Sequence, residues 1–177
     1  MRKFEMVQRV KDIKVIKPSR STTNAAGYDF YALEDIVIPS AIKELILNCH
    51  RKLKLGISMT DEILSKEEVL HVKPTMVKTG IKAYMEEDEV LNLYNRSSNP
   101  GKLGLILANG VGVIDADYVD NGDNEGEIAF AFYNIFPFSI TIKKGDKLGQ
   151  GVFTKFLKTD DDVAGKTRKG GFGSTGK

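Results

Sequence analysis

The sequence predicts an all-β domain, a jelly-roll or Greek-key β-barrel-like fold with a flexible C-terminal arm, on three observations. Short hydrophobic segments alternate with a period of two, clusters of Gly, Pro, Asn and Asp separate them, and helical patterns are scarce. In chain order the expected strands are IKVI at 13–16, KELILN at 43–48, EVLNLY at 89–94, EIAFAFYN at 127–134 and FSITIK at 138–143. Side chains alternate across a strand, so Ile128, Phe130 and Phe132 should share one face, and Phe138, Ile140 and Ile142 one face of the next. Asn134 to Pro137 supplies the turn between them.

Two segments break this rhythm. In TDEILSKEEVL, residues 60–70, Thr60 and Ser65 are candidate caps, and Ser65 with Glu68 has capping-box spacing; the segment reads as a helix or as a charged loop. A short helical turn is expected after Arg96-Ser97-Ser98-Asn99-Pro100, because serine and asparagine cap well and proline suits a first turn. Beyond Thr159 the chain changes to DDDVAGKTRKGGFGSTGK, which has almost no aliphatic side chains to bury. The expected organisation is therefore one β domain over residues 1–160, with excursions near 40–75 and 119–125, and a glycine-rich arm over 161–177.

Composition narrows the function classes. A chain of 177 residues with 41% hydrophobic content can build one core without a metal or disulfide staple. Lys and Arg number 26 against 24 Asp and Glu, so no bulk field argues for nucleic-acid or membrane binding, and any phosphate recognition must be local. Cys49 has no partner for an internal disulfide, and MRKFEMVQRVKDIKVI lacks a long apolar run, which together predict a cytoplasmic protein. With His50, His71 and Cys49 as the nitrogen and sulfur donors, the sequence argues against an all-protein zinc site and leaves oxygen-bound magnesium open. Both histidines read as surface or structural.

Chemistry concentrates in two stretches. GGFGSTGK offers unobstructed backbone amides, the hydroxyls of Ser174 and Thr175 and the Lys177 cation, all suited to phosphate oxygens. It lacks Walker spacing, so an ATPase reading is weak; a tail without function is the alternative. Phe172 has no core to enter among these glycines but can stack on a planar base. In NRSSNPGKLGLILANGVGVIDADY, from Asn95 to Tyr118, Arg96 presents a planar fork for phosphate, while Ser97 and Ser98 can donate hydroxyl and backbone hydrogens. The same Arg-Ser-Ser also reads as an ordinary surface turn. Asn109-Gly110-Val111-Gly112 reads as a hairpin turn, or as one that brings backbone polar groups against a ligand. If extended, Asp115 and Asp117 point to one side, where one carboxylate can orient a water and the other pair with a cation. Exposed loop acids are the alternative.

Five blocks in order resemble the trimeric dUTPase family. AGYDFYA at 26–32 is similar to that family's AGxDLxA, and NRSSNPGKLG to its PRSSLAxKxG, with Asn95 in place of proline. NGVGVIDADY follows at 109–118. KGDKLGQGVF at 144–153 resembles GDRIAQL, with Lys147 where arginine is usual and Gln150 retained, and GGFGSTGK closes the series. The resemblance implies a dUTP diphosphatase that releases dUMP and pyrophosphate by water attack on the α-phosphorus, lowering dUTP and supplying dUMP for dTTP synthesis. It implies that Asp115 orients and deprotonates that water. Asn109, Val113 and the turn between them would read the uracil edge, and Tyr118 would lie beneath the deoxyribose and exclude a 2′-hydroxyl. Arg96, Ser97, Ser98 and Gln150 would contact phosphate. Asp29 would hold a water of the Mg2+ shell, the metal being carried mainly by the triphosphate. On the arm, Phe172 would stack on uracil, with Gly173, Ser174 and Thr175 near the γ-phosphate and Arg168 clamping beside them. The site would be shared among the subunits of a homotrimer, with inactive monomers.

The chain also departs from this pattern. Tyr118 is followed by VDNGDNE before Gly126-Glu127-Ile128, an acidic insertion that reads as an exposed loop extension or as a partner contact. The stretch from about Ser40 to Thr75 is longer than the family core, which leaves a regulatory protein partner as an open reading. Arg168 stands four residues before Phe172 instead of the usual five. The resemblance extends to phage- or prophage-encoded members, which would act in the host cytoplasm; the rivals are a dCTP deaminase, or a bifunctional deaminase and diphosphatase, of similar fold, and a regulatory binding protein such as a phage-encoded factor. The presence of Asp115, Tyr118, Gln150 and Phe172 favours the diphosphatase.

Overall fold

The computed structural model describes residues 1–54 and 72–163. Its strands are β1 (Lys3–Met6), β2 (Tyr28–Tyr31), β3 (Ile36–Ile38), β4 (Thr75–Lys78), β5 (Ile81–Tyr84), β6 (Glu89–Asn95), β7 (Leu105–Leu107), β8 (Gly112–Asp115), β9 (Ala129–Asn134), β10 (Ile140–Ile142) and β11 (Lys147–Lys155). Among the described residues two α-helices interrupt them, α1 (Ala41–Lys54) and α2 (Ser98–Leu103). The strands form a four-stranded sheet ordered β2-β11-β6-β8, a three-stranded sheet β4-β9-β7, and the pairs β1-β5 and β10-β3. All these pairings are antiparallel. Consecutive strands mostly sit in different sheets, the wiring of a β-sandwich of jelly-roll type.

Alternation explains the core. Phe30, Leu91, Leu93 and Ile114 from the larger sheet and Val77, Leu105, Phe130 and Phe132 from the smaller one belong to one buried cluster. Phe30 and Phe130 bring their ring centroids to 5.8 Å, and Phe130 stacks on Phe132 at 6.1 Å. Each fully buried side chain of this size contributes roughly 1.5–3 kcal/mol, so these rings dominate the union of the sheets. The predicted face Ile128, Phe130 and Phe132 is buried as expected.

Three sequence expectations need correction. IKVI at 13–16 forms no strand; Ile13 and Ile16 are exposed. KELILN lies inside α1, because Ile42, Leu45, Ile46 and Cys49 also satisfy helical spacing and a six-residue run cannot decide between the two periods. Ser40 starts that helix, its Oγ accepting from the Lys43 amide at 3.1 Å. Phe138 is 60% exposed and does not share the face of Ile142. It belongs to the turn, where buried Asn134 donates to the carbonyls of Phe138 (2.7 Å) and Ile38 (3.2 Å) and accepts from the Phe136 amide (2.9 Å). That tie sends the chain from β9 to β10 at β3, in another sheet.

The turn after Arg96 is helical as expected and ends at Gly104, whose φ of 61° is left-handed. Ser97 makes no side-chain cap; Asn99 turns inward instead. His50 is exposed on α1. TDEILSKEEVL, His71 and most of the arm lie outside the described residues. Among the described residues no helix is long and apolar enough to cross a membrane.

Candidate active site

The register of the four-stranded sheet sets out the site. Asp29 pairs with Gln150, and Gln150 with Tyr94, so the three form one row across β2, β11 and β6. Further along the same face, Asn92 pairs with Val113 and Val90 with Asp115. The inward positions between them are Gly112 and Ile114, both buried, which leaves Val113 and Asp115 exposed on the outer face. Asp117 falls in the 3-10 turn Ala116–Tyr118, so the condition for its sharing a side with Asp115 is not met.

Around the first row the side chains are fixed by contacts between distant segments. Lys147 Nζ stands 2.6 Å from Asp29 Oδ2 and 3.2 Å from Ser21 Oγ, and Ser21 donates to the same carboxylate. Burial opposes the Asp29 charge, but the hydrogen bonds from Lys147 and Ser21 outweigh it and hold the carboxyl below the usual carboxylate range, with Arg96 adding in that direction. The side chain of Gln150 lies over Gly27, where a Cβ would come within 2.2 Å of Gln150 Oε1. Glycine there is a space requirement of the first block.

Arg96 is held from both sides. Its amide donates to Asn95 Oδ1 at 2.9 Å and its Nη1 to the Lys147 carbonyl at 3.3 Å. Asn99, 2% exposed, donates to Asn95 Oδ1 at 2.8 Å and to the Leu148 carbonyl at 2.9 Å, while Asn95 Nδ2 donates to the Leu105 carbonyl at 2.8 Å. This lock joins the second and fourth blocks. Nothing local in the sequence marks it, since Asn99 there resembles a capping residue. Its asparagines stand where the family pattern has proline and leucine. Asn99→Leu is expected to cost about 1–3 kcal/mol, because the Leu148 carbonyl is left buried without that donor. An unfolding midpoint in denaturant equal to that of the parent would refute the lock.

Asn109 and Val111 are exposed in a turn where the Val111 amide donates to the Asn109 carbonyl at 2.7 Å and Gly110 has φ 67°. The expected hairpin is absent. Strand β7 pairs with β9, and β8 with β6, so the turn carries the chain between sheets. Tyr118 is buried, 2% exposed, and its hydroxyl donates to the Glu127 carbonyl at 3.1 Å. Ser97 is exposed, and Ser98, Arg96 and Gln150 are half-buried. Arg168, Phe172, Gly173, Ser174 and Thr175 lie outside the described residues.

Comparison with known proteins adds the lineage. A family model described as dUTPase matches residues 63–176. The chain is 39% identical over 179 residues to the deoxyuridine 5'-triphosphate nucleotidohydrolase of Lactococcus lactis subsp. lactis, covering 99% of this chain and 98% of that protein. The chain belongs to the dUTPase family. Among solved structures, the dUTPase of Streptococcus mutans superposes with a TM-score of 0.67 at 35% identity, covering 89% of this chain and 98% of that one. A variant of the dUTPase of phage phi11 of S. aureus, which coordinates a structural Mg(II) ion, superposes with a TM-score of 0.60 at 16% identity over 94% of this chain and 97% of that one. At that identity the likeness shows the dUTPase fold alone.

The donor set can be weighed for a metal. Among the described residues no group of three or more His, Cys, Asp or Glu side chains is placed to hold an ion. Asp29 is one carboxylate beside an ammonium, a pairing that fits a hydrated ion reached through water and not an inner-sphere cage.

Proposed function

We propose that this chain hydrolyses dUTP to dUMP and pyrophosphate, in sites shared between copies of a homotrimer. The observation that carries the reading is the placement of Gln150 and Asp115 on one exposed sheet face but at opposite corners. They are two strands and four residues apart, roughly 16 Å at ordinary strand spacings. A general base must come within hydrogen-bond reach, or one water, of the proton it takes. Gln150 and Asp115 of one copy thus lie far apart on this face, which supports a site to which neighbouring copies supply one each.

In this reading Arg96, Ser97, Ser98 and Gln150 hold the triphosphate. Asp115 orients the attacking water and takes its proton, the positioning that dominates catalysis of transfer at phosphorus. Mg2+ bound to the triphosphate would neutralise charge there, with Asp29 holding one of its waters. Asn109, Val113 and their turn read the uracil edge, and Tyr118 supports the deoxyribose. The Tyr118 ring is buried in the single chain. The arm over residues 161–177 closes the site of a neighbouring copy, with Phe172 on the base, Gly173, Ser174 and Thr175 on phosphate, and Arg168 beside them. The β domain over residues 1–160 then forms the trimer body. Cytoplasmic location suits a nucleotide substrate.

Pyrophosphate release from dUTP, dCTP, TTP and UTP, each with magnesium, tests this. Release is expected from dUTP with at least a hundredfold preference, since cytosine would leave buried polar groups unpaired, and the thymine methyl and the 2′-hydroxyl of UTP would need space in a closed site. A folded protein that releases none from dUTP would sink the reading.

A further inference from the structure

The acidic insertion after Tyr118 is a folded element, not a loose loop. Asp120 and Glu125 have φ of 57° and 58°, a left-handed conformation that side chains other than glycine rarely adopt, and Gly126 follows with φ 79°. A Cβ on Gly126 would lie 2.6 Å from Val119 Cα, so the loop closes directly on its own start. Backbone bonds cross it from Asp120 N to Glu125 O at 3.1 Å and from Glu125 N to Asn121 O at 3.0 Å. Outside anchors hold it as well: Lys82 pairs with Asp120, the Tyr84 hydroxyl donates to Asp120 Oδ2 at 2.8 Å, and the Gln8 amide donates to Glu125 Oε2 at 3.0 Å. Strained backbone of this kind persists only where its surroundings over-determine it.

The contacts converge on one hydroxyl. Asn124 Nδ2 donates to Tyr118 Oη at 2.7 Å, while Asn124 Oδ1 accepts from the Gly126 amide at 3.0 Å and from Asn121 Nδ2 at 2.8 Å. Asn121 Nδ2 also donates to the Tyr118 carbonyl at 2.7 Å. The insertion thus grips Tyr118 at both its backbone and its far tip. Tyr118 closes the 3-10 turn that begins directly after Asp115.

We propose that Asn124 is a positioning residue for sugar selection, acting through the Tyr118 hydroxyl. The inference rests on the reading above, in which Tyr118 supports the deoxyribose. Discrimination against a 2′-hydroxyl depends on how closely the ring meets the sugar, and a ring pinned at its tip cannot back away to admit the extra oxygen.

The test measures kcat/KM for dUTP and UTP in the parent, Asn124→Ala, Tyr118→Phe, the double variant and Lys82→Ala. Asn124→Ala is expected to lower the dUTP-to-UTP ratio about tenfold, chiefly by improving UTP. Tyr118→Phe keeps the ring but removes the hydroxyl with its bonds to both Asn124 and the Glu127 carbonyl, so it should lower the ratio at least as far, and the double variant should fall no further than Tyr118→Phe alone. Lys82→Ala loosens the loop at its far side and should lower Tm without moving the ratio. The proposal is overturned by an unchanged ratio in folded Asn124→Ala, by multiplying effects in the double variant, or by an equal fall in Lys82→Ala. Should Asn124→Ala fail to fold, an unchanged ratio in Tyr118→Phe overturns it alone. A parent enzyme inert toward dUTP defeats the underlying reading; an active parent with unmoved ratios defeats only this inference.

Discussion

Asp115→Asn is expected to lower kcat for dUTP by about 10²–10⁴-fold, the usual contribution of a positioned general base. The amide keeps the size of the carboxylate and stays at the end of β8, where buried Ile114 holds the strand in place. It cannot take the proton of the attacking water. Thermal unfolding of the variant separates loss of turnover from loss of fold. Affinity for a nonhydrolysable dUTP analogue, read by calorimetry, should change little. Turnover equal to that of the parent would refute the assigned role.

Ending the chain before Arg168 is expected to lower kcat/KM for dUTP by about 10²–10⁴-fold while leaving the β domain folded. Stacking on one base contributes roughly 1–3 kcal/mol, and each hydrogen bond to a charged phosphate roughly 1.5–3 kcal/mol. One of each already reaches that range. The buried cluster draws on residues between Phe30 and Leu148, so Tm should be retained. Thermal unfolding and steady-state kinetics on the shortened chain separate the two. Full activity without the arm would remove Phe172, Ser174 and Thr175 from the site.

The elements legible in the sequence were those whose periodicity is enforced by burial on one face. EVLNLY and EIAFAFYN are strands because Leu91, Leu93, Phe130 and Phe132 all reach the same core. KELILN misled because a run that short fits either period, and the cap that decides it, Ser40, lies outside the run. At the site, the blocks identified residue types but not their mutual geometry. The pairing of Asp29 with Lys147 joins residues 118 positions apart, and Asn99 reaches Leu148 across 49. Local pattern carries no trace of either. The insertion after Tyr118 is exposed at Asp120, Gly122 and Asp123, as a loop extension should be, but its sequence does not show that Asn121 and Asn124 bond to Tyr118.

The ladder between β6 and β8 constrains changes of length. Val90 faces Asp115 and Leu91 faces Ile114, so a slip of one residue would turn the acid into the core and the isoleucine into solvent. The placement of the proposed general base and the packing of Ile114 are therefore set by one register in residues 112–115. A length change in that segment is expected to disturb the packing of Ile114 together with the position of Asp115. Past Asp115 the ladder ends, so a change of length there does not shift the register of residues 112–115. The segment 119–125 thus lies past the register that holds Asp115, the proposed general base, on the outer face.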